Sequence, residues 1–182
     1  IAYPLRKITR SSDRCFFRLT EVKSISAEKN TVHTSIGDII YDYLVIATGS
    51  KTNFFGNDSI EEHGMWMKTV PQALNIRSLI LENLEQATIT DDPEKRKSLL
   101  NFVLAGAGPT GVELSGAIAE LRNHIVPKDY PDLDPNEMNI HLLEGMGRVL
   151  PPMSEHASEK AQEMLEELGV KVHLNTMVEN YD

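Results

Sequence analysis

Gly106-Ala107-Gly108-Pro109-Thr110-Gly111 is a G-x-G-x-x-G run. It follows an apolar stretch at 101–105 that reads as a strand, and it opens a segment of helical pattern. That is the setting in which such a run binds a dinucleotide. The three glycines differ in what they allow. Gly106 permits a tight turn, Gly108 lets a pyrophosphate approach the main chain, and Gly111 lets the helix lie close to the strand. The helix start behind Pro109, at Thr110, presents free N–H groups with partial positive charge, which receive phosphate. A glycine turn serving packing alone would have the same composition; the flanking strand and helix favour the dinucleotide.

Two carboxylates stand near this run. Residues 138–143 read as a second strand, ending at Glu144-Gly145. A carboxylate there accepts hydrogen bonds from the adenosine ribose hydroxyls and repels a 2′-phosphate, so Glu144 predicts NAD(H) over NADP(H). Glu144 follows Gly111 by 33 positions, against about 20 in the usual spacing. The loop at 126–136, with Pro127, Pro131 and Pro135, accounts for the excess. Arg148 is either a solvated loop charge or a receiver for a 2′-phosphate; the first reading agrees with Glu144. Glu113 lies two residues beyond Gly111, in the expected first helical turn. It serves the helix dipole or pairs with the carboxamide of nicotinamide, and its residue type does not choose.

The elements that must position these residues follow from pattern. Helix 110–125, strand 138–143, a helix capped by Ser154 and strand 170–174 complete a β-α-β-α-β unit with a parallel sheet. The last helix carries Ala157, Ala161, Met164 and Leu168 as an apolar stripe, and Gly169 stands at its C′ position. Upstream, Thr69 and Gln72 form a capping box for a helix to about residue 87, and Asp92-Pro93 starts a short one. Residues 15–49 read as β. Turn clusters at 27–30 and 37–38 break them into a meander, and the apolar run 43–47 reads as a strand covered on both faces. The fold class is therefore α/β, a Rossmann-like domain with a β-meander.

Composition narrows the function further. The 182 residues carry 18 Lys+Arg against 27 Asp+Glu, a formal charge of −9, with 41% hydrophobic and 25% charged residues. This suits a soluble globular protein and argues against broad binding to nucleic acid. No stretch of about 18 apolar residues occurs, so none is expected to span a bilayer. Cys15 is the single cysteine, which rules out an internal disulfide and suits a cytosolic setting. The six histidines show no metal-ligand spacing, and no signal peptide is visible after Ile1.

Residues 102–116, Phe-Val-Leu-Ala-Gly-Ala-Gly-Pro-Thr-Gly-Val-Glu-Leu-Ser-Gly, resemble the NADH-binding motif of type II NADH dehydrogenases, members of the two-dinucleotide-binding-domain flavoproteins. Tyr41-Asp42-Tyr43-Leu44-Val45-Ile46-Ala47-Thr48-Gly49-Ser50 is similar to the second flavin-side motif of that superfamily, and 52–56 and 143–151 also fit. The resemblance implies a peripheral membrane flavoenzyme in which NADH reduces FAD and the flavin reduces a quinone without proton pumping. It assigns Gly106, Gly108 and Gly111, with Pro109 and Thr110, to the NADH pyrophosphate and Glu144 to its ribose. Glu113 faces the nicotinamide, and Thr48 and Gly49 end the strand beneath FAD. It places the full-length protein on the cytoplasmic inner face of the cell membrane and leaves a homodimer open.

The family's first glycine loop and its C-terminal quinone and membrane region do not occur in this sequence. The expectation is a central, soluble fragment: an FAD-domain β segment over 1–52, a connector with helices over 53–100, and an incomplete NADH-binding domain over 101–182. Such a piece would bind NADH, leave FAD unbound and lack dehydrogenase activity. Thioredoxin reductase-like and sulfide:quinone reductase-like readings lack their cysteines, glutathione reductase-like enzymes stay open, and a non-catalytic NAD-sensing module is the rival from another class.

Overall fold

The computed structural model describes residues 4–10, 12–54 and 56–181. The chain divides into two compact units, Ile1–Thr52 and Asn53–Asp182.

The first unit holds a short helix α1 (Leu5–Thr9) and a three-stranded antiparallel meander: β1 (Val22–Ser26), β2 (Thr31–Thr34) and β3 (Gly37–Ile40). Two tight turns set its register. Asn30 takes φ 48° between β1 and β2, and Gly37 takes φ 118° at the start of β3; Asn and Gly are the residues that accept this backbone. Thr34 bridges the second turn, its Oγ1 donating to Gly37 O at 2.6 Å. Thr31, Val32 and Thr34 are buried, and Val32 is the only buried apolar residue among those described in this unit.

Two expectations fail here. Residues 15–21 are irregular, and the run 43–47 is not a strand. Tyr43 and Val45 are 95% and 86% exposed. A strand apolar on both faces exists only between sheet neighbours and covering layers, and none of the described residues pairs with 43–47.

The second unit begins with α2 (Asp58–His63), capped by Asn57. It continues with α3 (Val70–Ile89) and α4 (Pro93–Leu99). Thr69 and Gln72 make the expected capping box, and Asp92 caps α4 through the amides of Glu94 and Lys95. The strands β4 (Asn101–Ala105), β5 (Asn139–Leu143) and β6 (Lys171–His173) form a parallel sheet in the order β4-β5-β6. The crossover helices are α5 (Pro109–His124) and α7 (Glu155–Glu167). The loop expected at 126–136 is partly ordered: α6 (Val126–Asp129) carries Pro127 in its first turn, and Pro135–Glu137 forms a 3-10 turn. Pro lacks the N–H that a first turn leaves unused, so it starts such turns as readily as it breaks helices.

Strand alternation divides the sheet. Ile140 and Leu142 are fully buried on one face with Leu84, Leu100, Met138 and Val149 in the same core. On α7 the buried residues are Ser158 and Leu165, whereas Met164 of the expected stripe is 62% exposed. Helix and strand meet at Gly169, whose φ of 81° supports a Schellman turn: Gly169 N–H donates to Glu166 O at 2.8 Å and Val170 N–H to Leu165 O at 2.9 Å. Arg122 of α5 ties this turn to the sheet by donating to Met138 O at 3.3 Å, Gly169 O at 3.2 Å and Leu168 O.

The other face of the sheet carries Val103, 56% exposed, and a pair of histidines. His141 Nδ1 and His173 Nε2 lie 3.0 Å apart, with ring centroids 5.3 Å apart and planes 13° from parallel. The centroid separation equals the N···N distance plus both ring radii, so the hydrogen bond lies in the plane of both rings and the rings meet edge to edge. Next to them Lys171 Nζ donates to Asn139 Oδ1 at 2.6 Å.

Candidate functional site

The glycine loop leaves β4 at Ala105 and enters α5 at Pro109. Its three glycines meet three different surroundings. Gly106 has φ 99° and makes the turn, and its N–H donates to Leu143 O at 2.7 Å. Gly108 has ordinary backbone, with nothing within 4 Å of where a Cβ would stand. At Gly111 a Cβ would collide with the carbonyl oxygen of Gly106 and touch Leu142 Cδ1 at 3.4 Å. The three roles expected from sequence are thus three distinct geometries: a left-handed turn, an open approach and a close helix–strand contact.

Gly108 is the N-cap of α5 and no side chain caps this end. Pro109 has no N–H, so the unused donors of the first turn are those of Thr110 and Gly111. Ala107, between the first two glycines, is fully buried. Its N–H donates to Glu144 Oε2 at 2.7 Å, and its carbonyl accepts from Leu150 N–H at 2.8 Å.

Glu144 stands at the end of β5, as expected. Its carboxylate is half-buried and accepts two main-chain N–H groups, that of Ala107 and that of Met146 at 2.8 Å. A carboxylate has about four lone-pair sites, so two such bonds leave capacity for sugar hydroxyls. Arg148 is not a free loop charge: its Nη2 donates to Pro151 O at 2.7 Å, and Nη1 lies 3.9 Å from Glu155 Oε1.

The structure gathers Gly106, Gly108, Pro109, Thr110, Gly111 and Glu144 around one loop. Glu113 lies on α5 and is exposed. The helix starts at Pro109 and not at Thr110, so Glu113 is its fifth residue and lies beyond the first turn. The helix-dipole reading loses ground accordingly, since that effect fades after the first turn. Thr48 and Gly49 belong to the first unit, in an exposed irregular stretch where Gly49 has φ 75°. Sequence reasoning passed over Ala107 and Leu150. Nothing in residue type marks an alanine whose N–H and C=O are both engaged, or a leucine with φ 47°.

Comparison with known proteins fits this geometry. The model of the pyridine nucleotide-disulphide oxidoreductase family matches residues 5–182. The type II NADH:quinone oxidoreductase Ndh of Mycobacterium tuberculosis is 41% identical over 78% of this chain and 31% of its own length. NdhA of the same organism is 37% identical over 100% of this chain and 40% of its own. The structure of NDH2 from Plasmodium falciparum in complex with NADH superposes with a TM-score of 0.74 at 30% identity, covering 90% of this chain and 34% of that one. The chain therefore spans about a third of the length of these relatives. Phe55, part of the 52–56 stretch that fits the family, lies outside the described residues. With the family's model matched over nearly all of its length, and a glycine-rich turn joining β4 to α5 in its parallel sheet, this chain belongs to the pyridine nucleotide-disulphide oxidoreductases.

Proposed function

We propose that this chain is the NADH-binding part of a type II NADH:quinone oxidoreductase that acts at the inner face of the cell membrane. The observation that carries the reading is the contrast between Gly108 and Gly111: one is open to an approaching ligand, the other is closed by the chain's own backbone. The names of the mycobacterial relatives and the NADH bound by the Plasmodium protein support it.

In this reading the pyrophosphate of NADH lies over Gly108 and takes hydrogen bonds from the N–H groups of Thr110 and Gly111. Glu144 accepts the adenosine ribose hydroxyls while continuing to hold Ala107 and Met146. Glu113 accepts from the carboxamide of nicotinamide and fixes the ring's orientation; positioning of this kind lowers a barrier by pre-ordering the reacting groups. Thr48 and Gly49 lie on the flavin side, where Gly49 offers a left-handed backbone with open space at its Cβ. Bound in the whole protein, FAD would supply a two-electron acceptor for the hydride of NADH and a donor toward quinone.

Titration of the chain with NADH, followed by nucleotide fluorescence, tests the reading. Saturable binding at one site is the expected result. An absence of binding by correctly folded chain would remove the NADH assignment. In the whole protein, NADH oxidation that depends on added quinone separates the dehydrogenase from a nucleotide sensor.

A further inference from the structure

The main chain at Ala107 is held at both of its polar groups, by Glu144 at its N–H and by Leu150 at its C=O. The second grip is unusual. Leu150 has φ 47°, in a region that leucine rarely adopts. It also precedes Pro151, a position that favours extended backbone. Such a conformation persists only where its surroundings impose it.

Those surroundings are visible. The Leu150 side chain is 9% exposed, and its neighbour Val149 is fully buried. Val149 O accepts from Ser158 Oγ, a buried hydroxyl of α7. Arg148 closes the turn on Pro151 O at 2.7 Å, and Met153 N–H donates to Leu150 O at 2.9 Å. The turn is thus fastened to α7 on one side and aimed at the glycine loop on the other.

We infer that Leu150 is a positioning residue for the nucleotide loop: its left-handed backbone, held by Ser158 through Val149, directs an N–H onto Ala107 O and keeps the loop in its ligand-ready shape. The inference rests on the reading of the loop as the NADH site. It predicts that backbone conformation at position 150 matters more than side-chain bulk.

Leu150→Val, Leu150→Gly and Ser158→Ala, made in this chain, test it by NADH titration and amide hydrogen exchange. Valine is β-branched and resists positive φ, whereas glycine accepts it. Leu150→Val should weaken NADH binding about fivefold, as for one lost hydrogen bond, and speed exchange at the Leu150 amide. Leu150→Gly should bind NADH more tightly than Leu150→Val although it removes more of the side chain. The reverse order would show that packing alone matters and overturn the inference. Ser158→Ala keeps the test independent of those variants. It should speed exchange at Leu150 while leaving the amides of β4 unchanged; uniform acceleration across the unit would also overturn the inference. Exchange is read without ligand, so failure of the unmodified chain to bind NADH would remove the NADH reading and leave the positioning result standing.

Discussion

Gly108→Ala is expected to leave the fold intact and lose the nucleotide, while Gly111→Ala is expected to damage the fold itself. At Gly108 the backbone is ordinary and the space for a methyl is open; alanine caps a helix less well than glycine but restricts the unfolded chain, and the two effects offset, so stability should change by less than about 1 kcal/mol. The same methyl would occupy the approach of the pyrophosphate, and NADH affinity should fall by about tenfold or more, equivalent to roughly 1.4 kcal/mol. At Gly111 the methyl meets the main-chain oxygen of Gly106, which cannot swing aside as a side chain would. Overpacking of this kind costs about 1–3 kcal/mol. The gain in helix propensity from Gly to Ala is about 1 kcal/mol and offsets only part of that. Urea unfolding should place the Gly111→Ala midpoint below that of the unmodified chain and the Gly108→Ala midpoint level with it. A Gly108→Ala chain that binds NADH with unchanged affinity would show that the pyrophosphate does not cross that residue.

The second large effect is expected at Glu144. The unmodified chain should bind NADH more tightly than NADPH, because a carboxylate at the end of β5 accepts ribose hydroxyls and repels a 2′-phosphate. Glu144→Gln exchanges one oxygen for an NH2 group. Two main-chain donors, Ala107 and Met146, now face a side chain with a single acceptor oxygen. Hydrogen bonds to charged groups contribute about 1.5–3 kcal/mol each, so NADH affinity should drop about tenfold or more. NADPH binding should fall less, because the repelling charge is gone, and the preference should narrow. Equal or tighter binding of NADPH by the unmodified chain would contradict the assignment and point to Arg148. That guanidinium is occupied with Pro151 O, which is why the opposite outcome is expected.

The parts of this architecture that rest on local chemistry were legible from residues alone. The glycine spacing, the Thr69–Gln72 box, the Asp92 and Ser154 caps and the C′ glycine at 169 each state a backbone requirement within a few positions. Parts that depend on distant neighbours were not. The run 43–47 has strand composition, yet no described strand lies beside it. Of the stripe on α7, Ala161 and Leu168 do pack against the core, and only the position between them differs, Leu165 being buried in place of Met164. One residue of difference in the start of α5 moved Glu113 out of the first turn. Ala107 and Leu150 acquire their roles only through the parallel crossover, which brings residues about 40 positions apart into hydrogen-bonding distance.

The in-plane bond between His141 and His173 adds a proton-dependent side-chain contact to the main-chain pairing of β5 and β6. One N–H points along that line at one lone pair; a further proton on the line would set two N–H groups head to head. Burial holds His141 below the usual histidine range, and the charge of Lys171 and the presence of His173 push it the same way. Glu94 and Lys97 of α4 border the same hollow. With its folded value depressed, His141 takes up a proton less readily in the native chain than in the unfolded one. Its stabilising contribution is therefore complete above the ordinary range near pH 6.5 and is lost as pH falls through the lower folded value. Mild acidification should release the β6 margin of the sheet ahead of the glycine loop, visible as exchange of the Glu144 and His173 amides, which face the β5–β6 seam, quickening before that of Gly106; the reverse order would show that the pair carries no such load. A sheet built this way would carry its acid-sensitive seam along the β5–β6 border, on the far side of β5 from β4 and the glycine loop that follows it.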